Sequence, residues 1–188
     1  MNGRGATPRI AVVCLVCLLV ASAADGSQFT NAVCGYTVMY PDAWNARMHP
    51  DGRNLIIANY PKGSTPKGES FPPGGARITI AMFPPYNAIF RAGDDDNAMF
   101  ARMVTPNTAV ISQTSASGAK PARLVAELPM IGVRAVTVLV HQQGKLFFFN
   151  LSCGTADPNC SGYEHVLDSV MESLTAAAAT PGPTSASP

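Results

Sequence analysis

Charge is scarce in these 188 residues: 13 Lys and Arg stand against 12 Asp and Glu, 13% of the chain, and nowhere do the basic residues form a block. That excludes the electrostatic footprint expected of a protein that binds nucleic acid or anionic lipid. Catalytic signatures are missing as well. The chain contains no G-x-S-x-G, H-E-x-x-H, phosphate-binding G-x-x-x-x-G-K-[ST] or dinucleotide-binding G-x-G-x-x-G. Its three histidines, His49, His141 and His165, are scattered singly over loop, strand end and helix, as ordinary surface histidines are. The acidic run Asp94-Asp95-Asp96 lacks the spaced oxygen ligands of a calcium loop and reads as a helix cap. No catalytic residue, cofactor site or metal ligand is assigned on these grounds. Long apolar runs are absent too. The longest, Ile10–Val20, falls short of the roughly 20 residues a membrane span needs.

That run belongs to a recognisable leader. Arg4 and Arg9 precede it, and the small residues Ala21-Ser22-Ala23-Ala24 follow, which is the order of a secretory signal peptide. Residues 1–24 are therefore expected to be removed after Ala23 or Ala24. The mature chain then keeps 11 basic and 12 acidic residues, a net charge of −1. Of the five cysteines only Cys34, Cys153 and Cys160 remain. In an oxidising, periplasmic or extracellular compartment three cysteines allow one bridge and leave one over.

The mature sequence reads mainly as strand. Residues 37–40, 54–60, 75–83, 122–128, 133–141 and 145–152 are apolar or alternating runs bounded by turn formers. Ile78, Ile80 and Met82 share one face of their run, with Arg77, Thr79 and Ala81 on the other. Gln142-Gln143-Gly144 reads as a hairpin connection, which favours antiparallel pairing. A first helix is expected at Asp95–Val104, capped by the acidic run. A second begins at Ser161-Gly162-Tyr163-Glu164, which has the form of a capping box. Its apolar stripe is Tyr163, Val166, Leu167, Val170, Met171 and Leu174. Residues 25–175 thus form a single α+β domain, and 176–188, without a charge or a large apolar side chain, read as a flexible tail.

The stretch KLFFFNLSCGTADPNC, Lys145–Cys160, carries most of the architectural information. Three consecutive phenylalanines cannot all lie on one face of a strand. Leu146, Phe148 and Asn150 must face one way and Phe147, Phe149 and Leu151 the other, so the strand needs cover on both sides, from helices or from a helix and a long loop. Cys153 ends the strand and Cys160 precedes the second helix. Their spacing suits neither a redox Cys-x-x-Cys nor a zinc site. A Cys153–Cys160 staple is the leading expectation, with a bridge from Cys34 to one of them the alternative.

Two connections carry apolar residues without an obvious place in the core. One is the long loop 61–75, PKGSTPKGESFPPGG; the other is FPPYNAIFRAG at 83–93. Phe71, Tyr86, Ile89, Phe90 and Arg91 could together form a rim for a protein partner. The leading expectation is that the loops fold their apolar side chains back over the sheet, with the rim the alternative.

The opening Gly35-Tyr-Thr-Val-Met-Tyr40-Pro41-Asp-Ala-Trp44, the Phe-rich hairpin strand and the closing helix Tyr163–Leu174 together resemble the PsbP-like family. Members open with a strand ending in an aromatic-Pro-x-x-Trp corner and close with a strand running into a helix of the "Tyr…Ile-Leu…Ser-Phe" kind. Here Leu174 stands for the final Phe, and the likeness spans about residues 34–174. It implies an antiparallel sheet sandwiched between helices. It also implies a non-catalytic role in binding, since relatives include a photosystem II extrinsic subunit, a Ran-binding import factor and bacterial envelope proteins. An exported accessory module with an envelope protein as partner is the expectation. A small-molecule or lipid-binding protein is the alternative, and a hydrolase comes third.

Overall fold

The computed structural model describes residues 26–65, 70–83, 91 and 93–177. The expected signal peptide and the tail from residue 178 lie outside them. Strands β1 (Gly26–Asn31) and β2 (Tyr36–Pro41) form an antiparallel hairpin, joined on the far side of β2 by the short β10 (Thr175–Ala176). Ala176, the first residue of the expected tail, thus sits opposite Tyr36 in a ladder. The main sheet holds seven strands in the order β3-β4-β5-β9-β8-β7-β6. Their ranges are β3 Asn45–Met48, β4 Leu55–Ala58, β5 Ala76–Phe83, β6 Ala109–Thr114, β7 Ala122–Leu128, β8 Val133–Gln142 and β9 Lys145–Gly154. Every pairing in it is antiparallel.

The β8–β9 turn shows why this sheet has the register it has. Gln142 pairs with Lys145, leaving a two-residue loop in which Gln143 and Gly144 both take positive φ, 52° and 71°. That is the conformation whose twist matches the strands on either side. It sets Val138 against Phe149 and Val136 against Leu151, and β5 closes on the other side with Ile80 against Phe149. A slip of one residue would turn each of these side chains to the opposite face.

Both faces of β9 are covered, as its consecutive phenylalanines require. Phe147, Phe149, Leu151 and Cys153 point into the larger core with Ile57, Ile78, Ile80, Val136 and Val138. Above them lie the small sheet, through Tyr36 and Val38, and helix α2 (Glu164–Glu172), through Val166, Leu167 and Val170. Phe147 meets Tyr36 edge-on, ring centroids 5.5 Å apart. On the other face Leu146 and half-buried Phe148 join Leu124, Leu139 and Ala126 beneath helix α1 (Asp96–Met103), which contributes Met99 and Phe100. The rest of that face is covered by the connection before β5, where Tyr60 and Phe71 pack with Ala58 and Val133. The layers are therefore helix and small sheet, large sheet, then helix and loop. The Tyr40-Pro41-x-x-Trp44 corner is present: the Trp44 N–H donates to the Pro41 carbonyl at 2.9 Å, and the buried indole stands edge-on to Tyr163.

Helix α1 starts as its sequence indicates. Asp95 is the cap residue, its carboxylate accepting from the Ala98 N–H at 2.8 Å. Helix α2 does not. A 3₁₀ turn, Cys160–Tyr163, leads straight into it, and no side chain caps its first residues. The Ser161–Glu164 pair fails as a capping box because Glu164 is engaged elsewhere, its carboxylate 3.3 Å from Arg134 and 3.5 Å from Arg123. Among the described residues no helix is long and apolar enough to cross a membrane.

Candidate functional site

At one end of the large sheet three connections meet around a cleft of about 540 Å³. The first is the segment before β5. Asn59 holds it by both ends of its amide: Oδ1 accepts from the Ala76 N–H at 2.8 Å and Nδ2 donates to the Gly74 carbonyl at 2.9 Å. The Tyr163 hydroxyl donates to that same carbonyl at 3.0 Å, tying the segment to the start of α2. Gly75 donates to the Pro72 carbonyl at 2.8 Å, and a Cβ on Gly75 would stand only 2.7 Å from that oxygen, so no larger residue fits the turn as built.

Phe71 lies in this segment, but it is not part of an exposed rim. Its ring is buried, edge-on to Tyr60 at 6.3 Å, with the Arg77 guanidinium 5.3 Å above it. Burying the ring in an apolar cluster with a cation over its face is worth more than leaving it in water. Arg91 is exposed, and Tyr86, Ile89 and Phe90 lie outside the described residues.

The second wall is the 3₁₀ turn Pro129–Ile131 between β7 and β8, closed by Gly132 in the left-handed region at φ 60°. Its carbonyls fasten the other two walls. The Ser70 hydroxyl donates to the Ile131 carbonyl at 3.2 Å, and the Thr155 N–H donates to the Gly132 carbonyl at 2.9 Å. The third wall is the loop 154–159, closed by a Cys153–Cys160 disulfide with Cα atoms 5.8 Å apart. Asp157 organises that loop, its backbone carbonyl accepting from Cys160 and its side chain from the Asn159 N–H. Ile131 lines this fastened cleft and is 58% exposed; Met130, its neighbour on the turn, faces the start of β6 and is 79% exposed. Two adjacent large apolar side chains held in water on a rigid turn are what a protein interface presents at its centre.

Next to the disulfide loop, α2 is bound to the sheet by charge. Arg123 reaches Asp168 at 2.7 Å and Glu164 at 3.5 Å, while Arg134 reaches Glu164 at 3.3 Å and Glu127 at 4.0 Å. Beyond it a second, larger groove of about 740 Å³ runs between α2 and the β6–β7 connection, with Val138, Met171, Lys120 and Arg123 in its walls.

The acidic run and two of the three histidines are occupied within the fold. Asp94 accepts from the Arg102 guanidinium at 2.8 Å and from the Arg91 N–H, contacts that hold its carboxyl below the usual range, with Arg102 the larger cause. Asp95 caps α1, and Asp96 meets His141 at 2.8 Å. His49 is paired with Asp51, whose carboxyl is lowered to about 2, chiefly by the backbone N–H groups of Asn54 and Arg53. Among the described residues no three His, Cys, Asp or Glu side chains are placed to hold one metal ion. Cys34 is a buried free thiol, so no bridge forms from it; burial raises its pKa. Beside it the fully buried Tyr36 phenol is raised to about 12 by the same cause.

Sequence reasoning missed Met130 and Ile131. The only signal was Leu-Pro-Met-Ile-Gly between two strands, where two large apolar residues occupy what must be a turn.

No protein-family model matches the chain, and no curated protein matches it in sequence. Solved structures do match in shape. The Ran-binding protein Mog1p of Saccharomyces cerevisiae superposes with a TM-score of 0.55 at 9% identity, covering 83% of this chain and 97% of Mog1p. The cyanobacterial PsbP (CyanoP) of Synechocystis gives 0.50 at 14% identity, covering 84% of this chain and 96% of CyanoP. At such identities the likeness shows a shared fold. The α+β sandwich expected from the sequence is that fold.

Proposed function

We propose that this protein acts by binding rather than catalysis, as an exported accessory module that docks a protein partner in the cell envelope. The observation that carries the reading is the pair Met130 and Ile131, exposed on a turn that hydrogen bonds and a disulfide loop hold fixed. A pre-organised apolar pair loses little entropy on binding, and each such residue buried at a partner contributes roughly 1–2 kcal/mol. The fold supports it, being shared with a protein described as Ran-binding. The leader at 1–24 and the cysteine bridge support export. Phe71, packed with Val133, supports the surface from beneath, whereas Arg91 lies beside Asp94 before α1, toward the other end of the sheet.

The open groove beside α2, walled by Val138 and Met171, favours the second reading, a small-molecule or lipid ligand. The test is crosslinking capture from the host envelope with the mature chain and with a Met130→Ser/Ile131→Ser variant. Capture of one dominant protein, lost in a variant that keeps its melting temperature, supports the docking surface. Equal capture by both chains removes it, and a co-purifying small molecule or lipid moves the assignment to the groove.

A further inference from the structure

The two edges of the large sheet are finished differently. At one end β3 is only four residues long and carries Arg47, features that discourage pairing with another chain. At the other end β6 runs for six residues, all exposed, and among the described residues no strand pairs with its outer side. Helix α1 packs over Leu124, Leu139 and Leu146 of β7, β8 and β9 and reaches β6 through Asn97, whose side-chain oxygen accepts from Gln113 at 3.0 Å, while every residue of β6 stays exposed. An edge strand presents unpaired backbone N–H and C=O groups, which only another extended chain can satisfy as a row.

The sequence around β6 is unusual for so exposed a place. No charged residue occurs from Met103 to Ala119, although charged residues make up 13% of the whole chain. Residues 109–120 are exposed without interruption. Val110 and Ile111 are 46% and 51% exposed. A bulge between Val110 and Ser112 interrupts the ladder, but Ser112, Gln113 and Thr114 pair regularly with Val125, Leu124 and Arg123. Lys on the strand, Pro within it and inward-pointing charge are all missing from this edge.

We propose that β6 is a self-association edge, where Ser112–Thr114 of one copy pairs antiparallel with the same segment of a second copy about a two-fold axis near Gln113. Pairing of a strand with itself sets Gln113 against Gln113 and brings every other residue near its own copy about the axis, so charges on it would be crowded by like charges. The absence of charge over this stretch removes that penalty, and a mature net charge of −1 adds almost no long-range repulsion between copies. Ile111 of each copy would then lie opposite the Ser115 region of the other, covering apolar surface that the monomer leaves in water. The inference is independent of the Met130–Ile131 surface.

Sedimentation velocity on the mature chain over a wide concentration range tests it. The expected result is a reversible monomer–dimer equilibrium that Ile111→Lys abolishes while the far-ultraviolet circular dichroism is kept. A monomer at every concentration overturns the proposal, leaving the edge to a segment of some other protein. A dimer that persists in Ile111→Lys overturns it too, because the interface would then lie elsewhere. Should that variant fail to fold, Gln113→Cys supplies a second reading under mild oxidation. Efficient covalent dimerisation through the introduced thiol, absent from a Thr30→Cys control on β1, supports the axis; equal or no crosslinking contradicts it.

Discussion

Replacing Phe147 by alanine removes a ring that has no exposed surface and that meets Tyr36 edge-on at 5.5 Å. Losing a buried phenylalanine and leaving its cavity costs about 3–5 kcal/mol, a figure to which the ring pair contributes about 0.5–1.5 kcal/mol. Phe148, one residue on, faces α1 and is only half-buried, edge-on to Phe83 at 5.8 Å. Its truncation should cost about 1–2 kcal/mol, because less of the ring leaves water on folding. For a domain whose whole stability is about 5–15 kcal/mol, Phe147→Ala is close to the limit of folding. Urea unfolding followed by circular dichroism, with thermal melts alongside, measures both variants. Phe147→Ala should lower the melting temperature by roughly 10 °C, on the rule of about 2–4 °C per kcal/mol for a chain of this size. Equal losses, or a greater loss for Phe148→Ala, would refute the assignment of the two faces of β9.

Two further outcomes follow from the geometry. Cys153→Ser, or reduction of the native chain, should lower stability by roughly 2–3 kcal/mol, the loop-closure value for so short a ring; an unchanged urea midpoint would count against the staple. Asp51, lowered from 3.8 to about 2, keeps its loop contacts above about pH 4 and loses them as the pH falls toward 2; a carboxyl titration by NMR with a midpoint near 4 would show that the Asn54 and Arg53 N–H groups are not holding it.

Much of the fold was legible because it rests on local pattern. The Phe147–Phe149 run demanded two covered faces, Gln143-Gly144 set the hairpin, and Asp95 capped α1, each within a few residues. Strands β1, β3 and β6 went unread for the opposite reason. GSQFTN, NARM and AVISQT show no sustained alternation, and they are strands because a neighbouring backbone pairs with them. The Ser161–Glu164 signature misled because two arginines distant in sequence, Arg123 and Arg134, compete for the Glu164 carboxylate. The candidate site was least legible of all. Phe71 could be read as rim or as folded back over the sheet, and the second holds because Tyr60 and Arg77 meet its ring; Met130 and Ile131 declare themselves only through their exposure.

The most direct test of the central claim is the affinity of a captured partner for the mature chain and for Met130→Ser/Ile131→Ser, measured by calorimetry at matched fold stability. A Kd weakened by about tenfold per residue is expected, as the loss of roughly 1–2 kcal/mol at each position requires. A Kd unchanged by the double substitution would contradict it and place the binding surface elsewhere on the molecule.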